Sequence, residues 1–196
     1  MTLPDLRQLA ILSVKDPAGA ANTLLANPVP RQALWIVLAL IAVLNALLFS
    51  LSNILVPGPV PFPGLFEIPL IYCTVVAGAL LLMISAFFWV GRAMGGSGSF
   101  DDIMQTILWL QALRLVVQAA ALVLVLTLPL LSALLVFAAS LYGIYMLLHF
   151  LNQAHRLESM GRSAGVLIAS MLAIVLGLTL LISLFGGPIA GSFAYV

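Results

Sequence analysis

Apolar residues in this chain fall in long, nearly unbroken runs rather than in alternation or in a single helical stripe. Five runs are long enough to cross roughly 30 Å of hydrocarbon, which takes about 20 residues at 1.5 Å rise. They predict helices at 33–55, 69–91, 103–126, 128–151 and 164–186. Only Thr127 and Pro129 interrupt the third and fourth, a stretch too long for one span, so a tight helical hairpin is expected there.

Residues 4–27 mix Leu6, Leu9, Ala10, Ile11, Leu24 and Leu25 with Arg7, Lys15 and Asp16, and Pro17 breaks the pattern. One or two short amphipathic helices on the inner leaflet fit this mixture. With so few basic residues, contacts with the bundle must help to hold them. The expected organisation is a cytoplasmic lead-in (1–32), a transmembrane domain (33–186) and an outer tail (187–196). Between the first two spans, "VPGPVPFPGLFEIP" (Val56 to Pro69) carries five prolines and two glycines. Proline removes backbone donors and fixes φ, so this is a stiff extended connector with Phe62 and Phe66 at the interface.

Composition turns these runs into a class. Hydrophobic residues make up 64% of the 196 residues and charged ones 7%, too few to cover a water-facing surface. The expected fold is all-α: a polytopic membrane helical bundle of five transmembrane helices. A net charge of +1 offers no basic footprint, so nucleic acid is not an expected partner. Cys73 is the only cysteine, which excludes a disulfide framework within the chain and a thiolate metal cluster. The run from Leu9 to Leu12 is too short, and too closely flanked by Asp5 and Asp16, for a cleaved signal peptide.

Orientation follows from the cations. Arg7, Lys15, Arg31, Arg92, Arg156 and Arg162 all fall on one side of a five-span topology. Basic loops stay inside, so the N-terminus is expected in the cytoplasm and the C-terminus outside. An integral, multi-pass membrane location follows from these runs.

The candidate chemistry is sparse. "GGSGSFDD" lacks the lysine of a phosphate loop, and its two carboxylates would repel phosphate. Ser99 and Asp102 instead predict a capping box, with Asp101 and Asp102 favoured by the helix dipole. The glycines ahead of them predict a swivel between spans two and three. Further along, Gln111, Arg114 and Gln118 are spaced by three and four and share one helix face. Arg114 lies near mid-depth, where an arginine costs roughly 2.5–3.5 kcal/mol on insertion scales. No carboxylate stands at that depth, and Asn45 and Ser140 are the nearest matching polar residues. Arg114 is expected either to be clamped by them or to await a partner's carboxylate, a lipid phosphate or an anionic solute.

Gly165, Ala169, Ala173 and Gly177 recur every four residues on span five, a small-residue stripe that lets helices approach closely in lipid. Gly91 with Gly95 and Ala139 with Gly143 repeat that spacing. Packing within the bundle and homodimerisation both fit. His149 and His155 have no metal spacing, His155 and Glu158 can pair locally, and no catalytic set appears. No reaction and no cofactor are expected.

With "NPVPRQALW" (Asn27 to Trp35) ending the lead-in and "MGGSGSF" (Met94 to Phe100) between spans two and three, the layout resembles the Yip (Ypt-interacting protein) domain family, in its bacterial branch. The resemblance covers the chain from about Pro28 onward. It implies a five-span membrane protein without an established reaction. The Asp-Leu-Tyr-Gly-Pro element of eukaryotic relatives is missing, so their link to Rab-type GTPases is not carried over. Two functions are compatible with these features. One is a non-enzymatic integral membrane scaffold, assembly or accessory factor, in contact with lipids and with a membrane-protein partner or further copies of itself. The other is a small transporter or channel component with an anion-interacting Arg114 face.

Overall fold

A computed structural model describes residues 5–57 and 68–193, and every regular element among them is helical. The elements are α1 (Leu6–Lys15), α2 (Pro17–Leu25), α3 (Arg31–Leu55), α4 (Pro69–Ala93), α5 (Phe100–Thr127), α6 (Pro129–His155) and α7 (Met160–Phe193). α3 to α7 supply five segments long and apolar enough to cross a membrane. Residues 58–67 of the proline-rich connector, with Phe62 and Phe66, lie outside the described residues. α7 continues past residue 186 and through Pro188, since one proline removes a single donor and need not end a helix.

Local chemistry sets the helix starts. Pro17, Pro69 and Pro129 each open a helix, where a missing N–H costs nothing. Leu128 alone separates α5 from α6, at φ −136° and ψ 74°, kept out of the helical region by the proline that follows it. Ser132 then donates its hydroxyl to the Ala121 carbonyl at 2.8 Å and pins the hairpin shut. At the start of α5, Ser99 Oγ accepts from the Asp102 N–H and Asp102 Oδ2 accepts from the Ser99 N–H, both at 3.1 Å. Asp101 in the same turn pairs with Arg31 at 2.9 Å, tying the starts of α3 and α5.

Around the bundle α3 packs on α4, α4 on α7, α7 on α6, α6 on α5 and α5 back on α3. The core is not spread evenly along these helices. Leu34, Ile41, Ile84, Phe87, Ile103, Ile107, Leu151 and Val166 form it, and all lie toward the end where α3, α5 and α7 begin. That end also carries Arg31, Arg92, Arg156 and Arg162, and we call it the basic end. Toward the opposite end Leu51, Ile54, Leu126, Leu130 and Leu134 stay exposed, as lipid-facing side chains can.

The lead-in belongs to the basic end. Leu9, Ala20, Ala21 and Leu24 bury around Phe150 of α6, beside Trp109 of α5. Buried Ser13 receives the Trp109 indole N–H at 3.0 Å, and Tyr142 donates its hydroxyl to the Val14 carbonyl. Gln105 joins this layer to α5. Its Nε2 donates to the carbonyls of Leu24 (2.9 Å) and Asn27 (3.0 Å), and its Oε1 accepts from the Val29 N–H (3.2 Å). One side chain thus reaches three backbone groups at the break between α2 and α3, of which the Leu24 carbonyl also accepts from the Asn27 N–H at 3.2 Å.

The glycine-rich loop is a lock rather than a swivel. Gly95, at φ +91°, closes α4, and the Gly96 N–H returns to the Gly91 carbonyl at 2.8 Å. The loop wraps His155, which is fully buried at the end of α6 and bonds through Nε2 to the Phe87 carbonyl at 3.0 Å. A Cβ on Gly91 would stand 2.2 Å from His155 Nε2, and one on Gly98 would stand 2.3 Å from the Ala154 carbonyl oxygen. The Ser97 N–H completes the join by donating to the His155 carbonyl at 2.9 Å. His155 therefore does not pair with Glu158. Among the described residues Arg31–Asp101 is the one ion pair, because the imidazole is committed to α4 before Glu158 begins the next turn.

Candidate functional site

The polar ladder predicted on α5 lies in one lateral groove. Gln111, Arg114 and Gln118 form a ridge roughly 10 Å long at 1.5 Å per residue, with Arg114 about 20 Å from either end of α5. The groove runs between α3, α5 and α6 and has a volume of about 1580 Å³. Asn45 of α3 and Ser140 of α6 line it with the three α5 residues, so all five predicted polar positions share one cavity. Val14 and Lys15 of α1 reach it at the basic end, and Ser52, Val56 and Ser132 at the other. Small-molecule pockets typically hold about 300–1,000 Å³, so this space exceeds what a solute-sized ligand requires.

Sharing a cavity does not make these residues a clamp. Asn45 donates through Nδ2 to the Ile41 carbonyl at 2.9 Å, and Ser140 donates to the Val136 carbonyl at 2.7 Å. Each turns back on its own helix because the carbonyl one turn earlier is within reach, while the groove separates α5 from both walls. The expected coordination of Arg114 by Asn45 and Ser140 is therefore not made. Arg114 is exposed in the groove, which Tyr72 of α4 also lines. Tyr72 is itself stacked on Phe49 of α3, with ring centroids 4.1 Å apart and planes at 4°. Among the described lining residues the cations are Lys15 and Arg114, and none is a carboxylate.

The small-residue stripes meet different surroundings. On α7, Gly165 lies beside Met94, where an added Cβ would come within 2.7 Å of the Met94 methyl. Ala169 is half-buried, Ala173 is exposed, and Gly177 has nothing within 4 Å of an added Cβ. α7 is held instead through an adjacent ridge. Ser163 donates to the Leu148 carbonyl at 2.6 Å, Ser170 to the Ala86 carbonyl at 3.4 Å, and Val166 is fully buried. Gly91 and Gly95 serve the His155 lock. Ala139 and Gly143 line the groove, and an added Cβ on Gly143 would also meet nothing within 4 Å.

Sequence reasoning missed the two anchors that position the groove walls, Gln105 and His155. A glutamine amid apolar residues and a histidine followed by a turn are weak local signals, whereas their partners lie 68 to 81 positions away. His149 meets the Tyr145 ring edge-on at 4.6 Å, on a different part of α6 from the His155 lock. Among the described residues no three His, Cys, Asp or Glu side chains gather as metal ligands would.

The sequence model of the Yip1 domain matches residues 11–182, most of the chain. No curated protein and no solved structure matches it.

Proposed function

The chain belongs to the Yip1 domain family and is an integral, multi-pass membrane protein; from that premise we propose that it is a non-enzymatic membrane scaffold, assembly or accessory protein. It acts through intramembrane helix contacts with a larger membrane complex or with further copies of itself. The basic end faces the cytoplasm and the C-terminus lies outside, by the segregation of its arginines and lysines. We assign it to the bacterial branch of the family and to the cytoplasmic (inner) membrane.

The observation that carries this reading is the groove. Proteins in lipid associate by close packing and by polar contacts, because the hydrophobic effect no longer drives helices together. The groove offers both elements: a small-residue wall at Ala139 and Gly143, and a polar ridge at Gln111, Arg114 and Gln118. The outer half of the α7 stripe, with Ala173 exposed and Gly177 half-buried, is a second surface for a copy of this chain.

The shared cavity also favours a second reading, a transporter or channel component with Arg114 drawing anions. Against it, the lining is predominantly apolar, with most of its polar side chains widely spaced along the groove, which gives a hydrated ion few relay points.

Purification in mild detergent separates the two readings. The scaffold reading expects a species larger than the monomer. Gly143→Leu, which fills the groove without touching the basic-end core, should reduce that species to monomer. Replacing Arg114 with leucine should leave membrane insertion intact while weakening the same assembly. A stable monomer that carries anion flux in liposomes would overturn the scaffold in favour of transport.

A further inference from the structure

The groove has a charge and a depth that specify its occupant more narrowly than "a membrane partner". We propose that it receives a transmembrane helix bearing one carboxylate near mid-span, which pairs with Arg114. The inference deepens the scaffold reading and rests on it.

Charge complementarity is the first argument. The described lining carries Lys15 and Arg114 and no carboxylate, so the groove is electropositive within an apolar wall. An arginine and a carboxylate are each costly alone at mid-depth, and both are relieved by a charge-assisted, two-pronged contact. Depth is the second. Arg114 lies about 20 Å from either end of α5, whereas a lipid phosphate or fatty-acid carboxylate sits at the bilayer surface. An amphiphile would have to bury its head group to reach the guanidinium. A side chain halfway along a spanning helix is there already.

Shape is the third. Ala138, Ala139 and Gly143 give α6 a smooth wall, and nothing stands within 4 Å of a Cβ placed on Gly143. A helix backbone benefits from such a wall, while a flexible acyl chain does not need one. Gln111 and Gln118 flank Arg114 one turn to either side, where they can bond the partner's polar groups above and below the carboxylate.

The test uses the full chain in nanodiscs and a labelled synthetic helix of about 21 leucines and alanines with lysine ends. One version carries a central glutamate, the other a central glutamine, and binding is read by energy transfer. The glutamate helix should bind at least about tenfold more tightly than the glutamine helix. Arg114→Gln, a polar replacement that keeps the ridge, should erase that preference. Arg114→Glu should transfer the preference to a helix with a central lysine. Equal binding of the glutamate and glutamine helices to the wild type would overturn the proposal. So would displacement of the glutamate helix by oleate at a lower concentration than by unlabelled helix, since an amphiphile would then be the better occupant. If the helix preference fails while Gly143→Leu still dissolves the native assembly, only the acidic-helix inference is lost. If Gly143→Leu leaves that assembly intact, the scaffold role of the groove falls instead.

Discussion

The two ends of this bundle are built from the same apolar alphabet and differ in how it is used. At the basic end, three glycines, a buried histidine and a glutamine bring α2, α4, α5 and α6 into contact through backbone groups. Farther along, α3, α5 and α6 border a groove, where Asn45 and Ser140 bond within their own helices and Ser132 ties α6 to α5 only at the far end. Membrane helices gain little from burying one apolar side chain against another, because lipid does that equally well. Tight packing therefore appears where backbone polar groups need partners, and an opening persists where each helix is self-sufficient. The closed end fixes the walls of the groove.

Glycine-to-alanine changes offer the sharpest test of this contrast. Gly98→Ala or Gly91→Ala at the closed end should cost about 2–3 kcal/mol, as overpacking against a carbonyl or a held imidazole does. Gly143→Ala in the groove should be neutral or stabilising by up to about 1 kcal/mol, the ordinary helix preference for alanine. Thermal unfolding in detergent would show this as opposite shifts. If both classes destabilised equally, the two ends would not differ in the way described.

The next effect is smaller. Gln105→Ala strands the Asn27 carbonyl and the Val29 N–H and leaves the Leu24 carbonyl with its backbone donors alone, a loss of about 2 kcal/mol, with faster proteolysis of the lead-in before the bundle melts. Asn45→Ala, which removes only a bond to its own helix, should stay within about 0.5 kcal/mol. A similarly small change is expected at Arg31→Ala. The Arg31–Asp101 pair is well exposed, with side chains 64% and 41% accessible, so its loss should cost less than about 1 kcal/mol and fade in salt. A large effect there would place electrostatics, not backbone satisfaction, at the root of the closed end.

Much of this was readable from the chain because it depends on local rules. The five long helices follow from run length against membrane thickness. The break at Leu128 follows from Pro129, and the reciprocal Ser99–Asp102 cap from residues three apart. The alignment of Gln111, Arg114 and Gln118 follows from helical periodicity alone. What the loop before the cap does was not readable. Glycine in sequence says only that a side chain is absent, and freedom of the backbone is one consequence among several. Here the absence makes room for His155, a residue that folding brings from the far end of another helix.

The amino-acid order by itself determined that the chain crosses a membrane in helices, where the proline- and cap-marked helices begin, and which polar residues share a helix face. Those properties are set by burial cost, proline geometry and capping within a few residues. Only the tertiary structure decided that Asn45 and Ser140 leave Arg114 unclamped, that Gly91 and Gly98 close on His155, and that Ala139 and Gly143 face an opening. These are distances between helices, and apolar surface in lipid carries no sign of which neighbour it will meet.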